Sequence, residues 1–171
     1  MDVMKNKKGF TLIELLAVIV ILSIIILIAA SNIGAMTTTA RKNVLAVEGN
    51  TLVDGAKTAY QLAVLNGDIT NNAACFSIAY LYNEGYFDKG PSSNSGYFGS
   101  VLIEPDANGK IYTYTFWISN GSYMLENAAS GATGKVATNH DATKETALNS
   151  CGGTKLTTFD YVDGKAVVKN S

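Results

Sequence analysis

From Phe10 to Ala30 the chain runs through about 21 residues with one charged side chain, Glu14. As a single helix, a run of that length crosses the roughly 30 Å hydrocarbon core of a bilayer. The first reading is therefore a transmembrane segment. A carboxylate in such a segment costs on the order of 2.5–3.5 kcal/mol on insertion scales, so it needs a partner. No Lys, Arg or His shares the run, and the nearest cations, Lys7 and Lys8, lie beyond Gly9. Cutting the chain after Gly9 would create a partner. The new α-amino group of Phe10 would sit one helical turn from Glu14, within reach of the Glu14 of a neighbouring copy in a staggered bundle.

The stretch Lys8-Gly9-Phe10-Thr11-Leu12-Ile13-Glu14, followed by an apolar helix, resembles the class III signal of type IV prepilins and pseudopilins. A short basic leader, Gly before the cut, Phe as first mature residue and Glu five positions into the mature chain make up the likeness. Among these proteins the chain looks most like a type IVa-like major pilin of the clostridial kind. The resemblance implies cleavage between Gly9 and Phe10 by a prepilin peptidase and methylation of the Phe10 amine. It also implies that Phe10, Thr11 and Glu14 serve assembly. Further implied partners are copies of the same chain, an assembly ATPase and a platform protein, with the cytoplasmic membrane as host before assembly.

At 171 residues the chain supports one modest domain beyond the apolar run. Its 13 Lys and Arg residues are scattered and the formal charge is −1, so nucleic-acid binding has no electrostatic support. Lys5, Lys7 and Lys8 outweigh Asp2 in the leader, which places the amino end in the cytoplasm and the remainder outside. A secretory signal cut near Ala29-Ala30-Ser31 is the competing reading, but its apolar core would be shorter and without Glu14.

No proline interrupts the span from Phe10 to Leu65. As one helix, these 56 or so residues would reach roughly 84 Å. Leu45, Leu52, Val53, Ala56, Ala59, Tyr60, Ala63 and Val64 recur at helical spacing and predict a core-facing stripe. Arg41, Lys42, Glu48, Asn50, Asp54, Lys57 and Gln61 fall on the opposite side. Asn66-Gly67-Asp68 supplies the stop. Many pilins carry a proline late in the apolar stretch; here Ser31-Asn32 and Gly34 stand instead, and Gly34 is expected to weaken the helix locally. Gly49 and Gly55 are read as points of close packing.

The remaining chain predicts a short helix over about Ala74 to Asn83, a polar loop at Pro91 to Gly96, and strands from Tyr97 to Ile103, Ile111 to Ile118 and Tyr123 to Glu126. Tyr112, Tyr114, Phe116 and Ile118 alternate with polar neighbours, so that face should lie on the long helix. Asn120-Gly121 signals a hairpin turn, and Asp163-Gly164 predicts a closing hairpin between Phe159–Val162 and Ala166–Val168. Residues 127–153 read as a long exposed loop with a helical turn from Ala142 to Leu148. The expected fold is α+β: a long N-terminal helix, transmembrane in its first half, packed on an antiparallel sheet, in the pilin manner. Its parts are a leader (1–9), the membrane and filament-core half of the helix (10–31), the amphipathic half (32–65), a linker (66–96), and the sheet with the C-terminal loop region (97–171).

Catalysis finds little support. His140, the one histidine, sits in a polar loop and reads as an ordinary surface residue. Gly131 to Val136 lacks the spacing of a phosphate loop. Glu104 to Gly109 begins like a calcium loop but lacks the closing acid, Thr115 standing in its place, so a tight turn explains it better. Asn120-Gly121-Ser122 is formally a glycosylation sequon, again explained by a turn. No enzyme activity, cofactor or metal is expected. Cys75 and Cys151, in an oxidising exterior, either form one bridge across about 75 residues or stay as free buried thiols. The wide spacing departs from the shorter C-terminal disulfide loop of many pilins.

The sequence thus predicts a structural subunit of a type IV pilus, active in adhesion, surface motility or aggregation. It starts as a single-pass membrane protein and ends in a cell-surface filament. The alternatives are a minor pilin or pseudopilin of a secretion or competence system, and a membrane-anchored binding module that never polymerises.

Overall fold

The computed structural model describes residues 9–70, 72–91, 96–110, 112–131, 137–153, 157–162 and 165–169. Two compact units divide the chain, one up to Ala40 and one from Arg41 onward. Helix α1 (Leu12–Asn66) supplies the first unit and opens the second. Within it lies a window of mean hydropathy 3.2, the one helix among the described residues long and apolar enough to cross a membrane. Several hydroxyls along it bond to the helix backbone. Ser23 Oγ donates to Ile19 O at 2.7 Å, and Thr37, Thr38 and Thr39 donate to carbonyls one turn back.

The end of α1 follows from its last residues. Gly67 adopts φ +81°, its amide donates to Val64 O at 3.2 Å, and Asp68 N donates to Ala63 O at 2.9 Å. These are the paired bonds of a Schellman cap, which a side chain with a Cβ resists at the left-handed position.

In the second unit, strands β1 (Ala74–Ser77), β2 (Phe98–Pro105), β3 (Tyr112–Ser119), β4 (Tyr123–Ala129), β5 (Thr138–Asn139), β6 (Thr157–Val162) and β7 (Lys165–Lys169) form one sheet in the order β5-β4-β3-β2-β1-β6-β7. Every neighbouring pair is antiparallel except β1 with β6. Helix α2 (Ile78–Asn83) follows β1 directly, and α3 (Glu145–Asn149) follows a 3₁₀ turn at Ala142–Lys144.

One face of the sheet is covered by α1. Leu45, Leu52, Val53, Ala56, Ala59, Tyr60 and Ala63 join Phe76, Val101, Ile103, Phe116, Ile118, Leu125 and Phe159 in a continuous core. Tyr112 and Tyr114 pack at its margin, as the alternation along β3 predicts. Val64, expected in the stripe, lies at the edge with 36% of its surface exposed. Glu48 departs from the expected solvated side. Its carboxylate takes Lys89 Nζ at 2.9 Å and the Tyr97 hydroxyl at 3.0 Å, tying the chain before β2 to α1.

Helix was expected over residues 74–83, but 74–77 form a strand. Ala74, Cys75, Phe76 and Ser77 are all buried between β2 and β6, and burial on both faces erases the period-2 signature. Ser77 then caps α2, accepting from Tyr80 N at 3.1 Å while donating to Asp160 Oδ1 at 2.7 Å. Among the described residues the sheet accordingly has seven strands, β1 and β5 being additions to those read from the sequence.

Part of residues 127–153 differs from the exposed loop expected, while the helical turn read at 142–148 is present as the 3₁₀ turn and α3. β4 continues to Ala129, with Asn127 at φ 51° where the β3–β4 register shifts. The segment around α3 lies on the sheet's other face, where Leu148 and Cys151 bury Leu102, Trp117 and Cys75. Asn120 makes the hairpin turn, its Oδ1 accepting from Ser122 N and Tyr123 N. The closing hairpin pairs Val162 with Lys165; Asp163 and Gly164 lie outside the described residues.

Candidate functional site

The apolar helix starts at Leu12, with Thr11 as the residue before its first turn. Thr11 Oγ1 accepts from Glu14 N at 3.3 Å, and Glu14 Oε2 accepts from Thr11 N and from Thr11 Oγ1, each at 2.8 Å. These reciprocal bonds make a capping box, which satisfies amide groups that the first turn leaves unpaired. Leu15 N closes the first backbone bond onto Thr11 O at 3.3 Å. Thr-x-x-Glu ahead of an apolar run is the standard sequence signal for this role, which the cost of Glu14 in lipid overshadows. Glu14 therefore has a partner within its own chain, one that engages a single carboxylate oxygen. Oε1 makes no hydrogen bond to any described residue. A carboxylate oxygen can accept further bonds, so Glu14 can hold the cap and meet a cation together.

Phe10 is 88% exposed, and a Cβ added at Gly9 would meet nothing within 4 Å. The Gly9–Phe10 bond thus lies open beside the first turn. The leader cations Lys5, Lys7 and Lys8 lie outside the described residues. From Phe10 to Ala40 no other charged residue accompanies Glu14.

Cys75 and Cys151 form a disulfide with S–S 2.08 Å. It joins β1 to the turn after α3, on the sheet face away from α1.

The other candidate chemistry resolves into turns and caps. Asp106 Oδ1 accepts from Asn108 N and Lys110 N at 3.1 and 2.8 Å, so the carboxylate of the apparent calcium loop holds a tight turn. Gly131 accompanies Asn50, whose Oδ1 accepts from its amide at 3.0 Å; residues 132–136 lie outside the described residues. His140 corrects the surface reading. Its Nδ1 lies 2.7 Å from Ser119 Oγ and its Nε2 3.2 Å from Glu145 Oε1. The row resembles a nucleophile–base–acid relay, but Ser119 is fully buried and its hydroxyl also engages the Tyr123 carbonyl, so no substrate can reach it. No grouping of three or more metal-ligating side chains occurs among the described residues.

Residues 4–30 match the family model described as the prokaryotic N-terminal methylation motif. The match covers Gly9, Phe10, Thr11, Glu14 and the apolar run together. It supports a type IV pilin-like or pseudopilin protein, anchored in a membrane by its apolar helix and processed by a prepilin peptidase. With the α+β fold it points to a structural protein rather than an enzyme. No curated protein and no solved structure matches the chain.

Proposed function

We propose that the chain is the structural subunit of a type IV pilus, cleaved after Gly9, methylated on Phe10 and polymerised through its apolar helix. The carrying observation is Glu14, a lone carboxylate at the head of a fully exposed apolar helix with one oxygen left over from its cap. In lipid, such an oxygen is a liability that a cation relieves. The α-amino group released by cleavage at Gly9 is that cation, offered by a neighbouring copy. Each subunit then supplies one amine and one carboxylate, so the pairing repeats head to tail and generates an open filament. Bundled helices replace lipid around the apolar run as subunits leave the membrane. The exposed domain, with its buried disulfide, suits an exterior location with the amino end inside. Resemblance to type IVa-like major pilins favours the main filament subunit over a minor or secretion-system role. The assembly ATPase and platform protein follow from the same reading, as do adhesion, surface motility or aggregation.

The test is the mass and N-terminal sequence of the protein in sheared surface material. A chain beginning at methylated Phe10 and dominating the filaments supports the reading. Correct processing at trace abundance indicates a minor pilin or pseudopilin. A chain beginning at Met1, or near Ala30, overturns it in favour of an anchored or secreted domain.

A further inference from the structure

Ser119, His140 and Glu145 form a row with more acceptors than a neutral imidazole can serve. Ser119 Oγ lies 2.7 Å from His140 Nδ1, 3.0 Å from the Tyr123 carbonyl and 3.2 Å from the Gly121 amide, which donates to it. A hydroxyl has one proton to give. If Nδ1 is bare, it competes with the Tyr123 carbonyl for that proton. If Nε2 is bare, its lone pair faces the Glu145 carboxylate at 3.2 Å. Only with both ring nitrogens protonated does each close contact pair a donor with an acceptor. Nδ1–H then donates to Ser119, Ser119 donates to Tyr123 O, and Nε2–H donates to Glu145.

We infer that His140 is a proton-operated latch, fastening the segment from β5 to α3 onto the end of β3 when protonated and loosening it when neutral. The ring joins three elements: Ser119 closes β3, His140 follows β5, and Glu145 opens α3. The His140 amide also donates to Ser122 O at 3.0 Å, and its ring stacks on Phe98 of β2 at 6.3 Å. Among the charged groups around it, Glu145 makes contact. Asp141 turns its carboxylate to the amide and hydroxyl of Thr143. Lys144 is held by Glu126 of β4 at 2.8 Å. Lys42 of α1 sits over the Tyr123 ring, 5.6 Å from its centroid. Among the described residues, Lys144 and Lys42 are thus engaged elsewhere and an acid faces Nε2. Loss of the proton either removes the charge-assisted bond from Nε2 to Glu145 or leaves Ser119 one proton for two acceptors, according to which nitrogen gives it up. The segment so loosened carries Leu148, packed in one cluster with Trp117, and leads into the turn with Cys151. The inference rests on the domain from Arg41 onward and holds whether or not the chain polymerises.

The test is amide exchange and imidazole ¹⁵N resonance on the full chain in detergent micelles, between about pH 5.5 and 7.5, where histidines titrate. At the lower pH both ring nitrogens should carry protons. Amides from Thr138 to Asn149, corrected for intrinsic exchange, should be about fivefold better protected, the change one net hydrogen bond makes. His140→Gln should abolish that pH dependence, and Glu145→Gln, at a more exposed partner, should reduce it. Protection that is equal at both pH values in the wild type, or that changes equally in either variant, overturns the latch.

Discussion

Thr11 gives Glu14 Oε2 two hydrogen bonds of equal length, 2.8 Å from the amide and 2.8 Å from the hydroxyl, while Oε1 stays unengaged by the described residues. The cap and the proposed intersubunit pair can therefore be separated. Glu14→Gln keeps an acceptor for the cap but removes the charge, whereas Glu14→Ala removes both. We expect both variants to lose filaments in sheared fractions. In micelles, Glu14→Ala should fray the first turn by losing half of the capping box, and Glu14→Gln should leave it intact. Filaments at normal level in Glu14→Gln would show that the cap alone is what Glu14 supplies.

Two glycines in α1 mark where the helix comes closest to what it packs on. An added Cβ at Gly55 would lie 2.2 Å from the Tyr86 carbonyl oxygen, and at Gly49 2.1 Å from the Phe116 ring. Backbone gives less readily than a side chain. Gly55→Ala is therefore expected to cost more than Gly49→Ala, both within about 1–3 kcal/mol for overpacking. Any gain in helix propensity, about 1 kcal/mol, offsets part of each. Urea unfolding of the two variants decides the order.

The helix stripe from Leu45 to Ala63, the Gly67 stop, the β3 alternation and the Asn120 turn were legible because each is a local pattern with a local cause. β1 was not. Its four residues are buried by strands that arrive from 98–105 and 157–162, and no neighbour in sequence announces that. The same holds for His140, whose partner Ser119 is 21 residues away, and for Glu48, 49 residues from Tyr97. The capping box was legible and was passed over, since the cost of Glu14 in lipid pointed to a partner on another chain before one on its own.

The disulfide closes a sequence separation of 76 residues and lies in the small cluster with Leu102, Trp117 and Leu148. In the chain-entropy model a loop of that size is worth about 4.5 kcal/mol, an upper figure. Reduction should lower the thermal midpoint and expose Trp117, read as a red shift of the sole tryptophan. The core between α1 and the sheet does not include the cysteines, so far-ultraviolet helicity should persist at temperatures where the Trp117 signal has already moved. Simultaneous loss of both signals would place the bridge within one cooperative unit.

Alkaline pH addresses the opposite face. Burial, aided by Tyr112 and Tyr114, pushes the Tyr60 phenol up to about 12, and burial with the Glu48 hydrogen bond does the same for Tyr97. Both folded values lie above the ordinary value of 10, so the native state holds these protons more tightly than the unfolded chain. Their contribution to stability is fully present below pH 10 and is lost as pH rises through about 12. Absorbance at about 295 nm should show a late phase that includes Tyr60 and Tyr97 and coincides with loss of helicity. Tyr97→Phe should remove one late tyrosine, free Glu48 from that bond and shift the alkaline transition. Were all tyrosines to titrate together while the helix signal held, Tyr60 and Tyr97 would be open to solvent and the contact of α1 with the sheet looser than its side chains indicate.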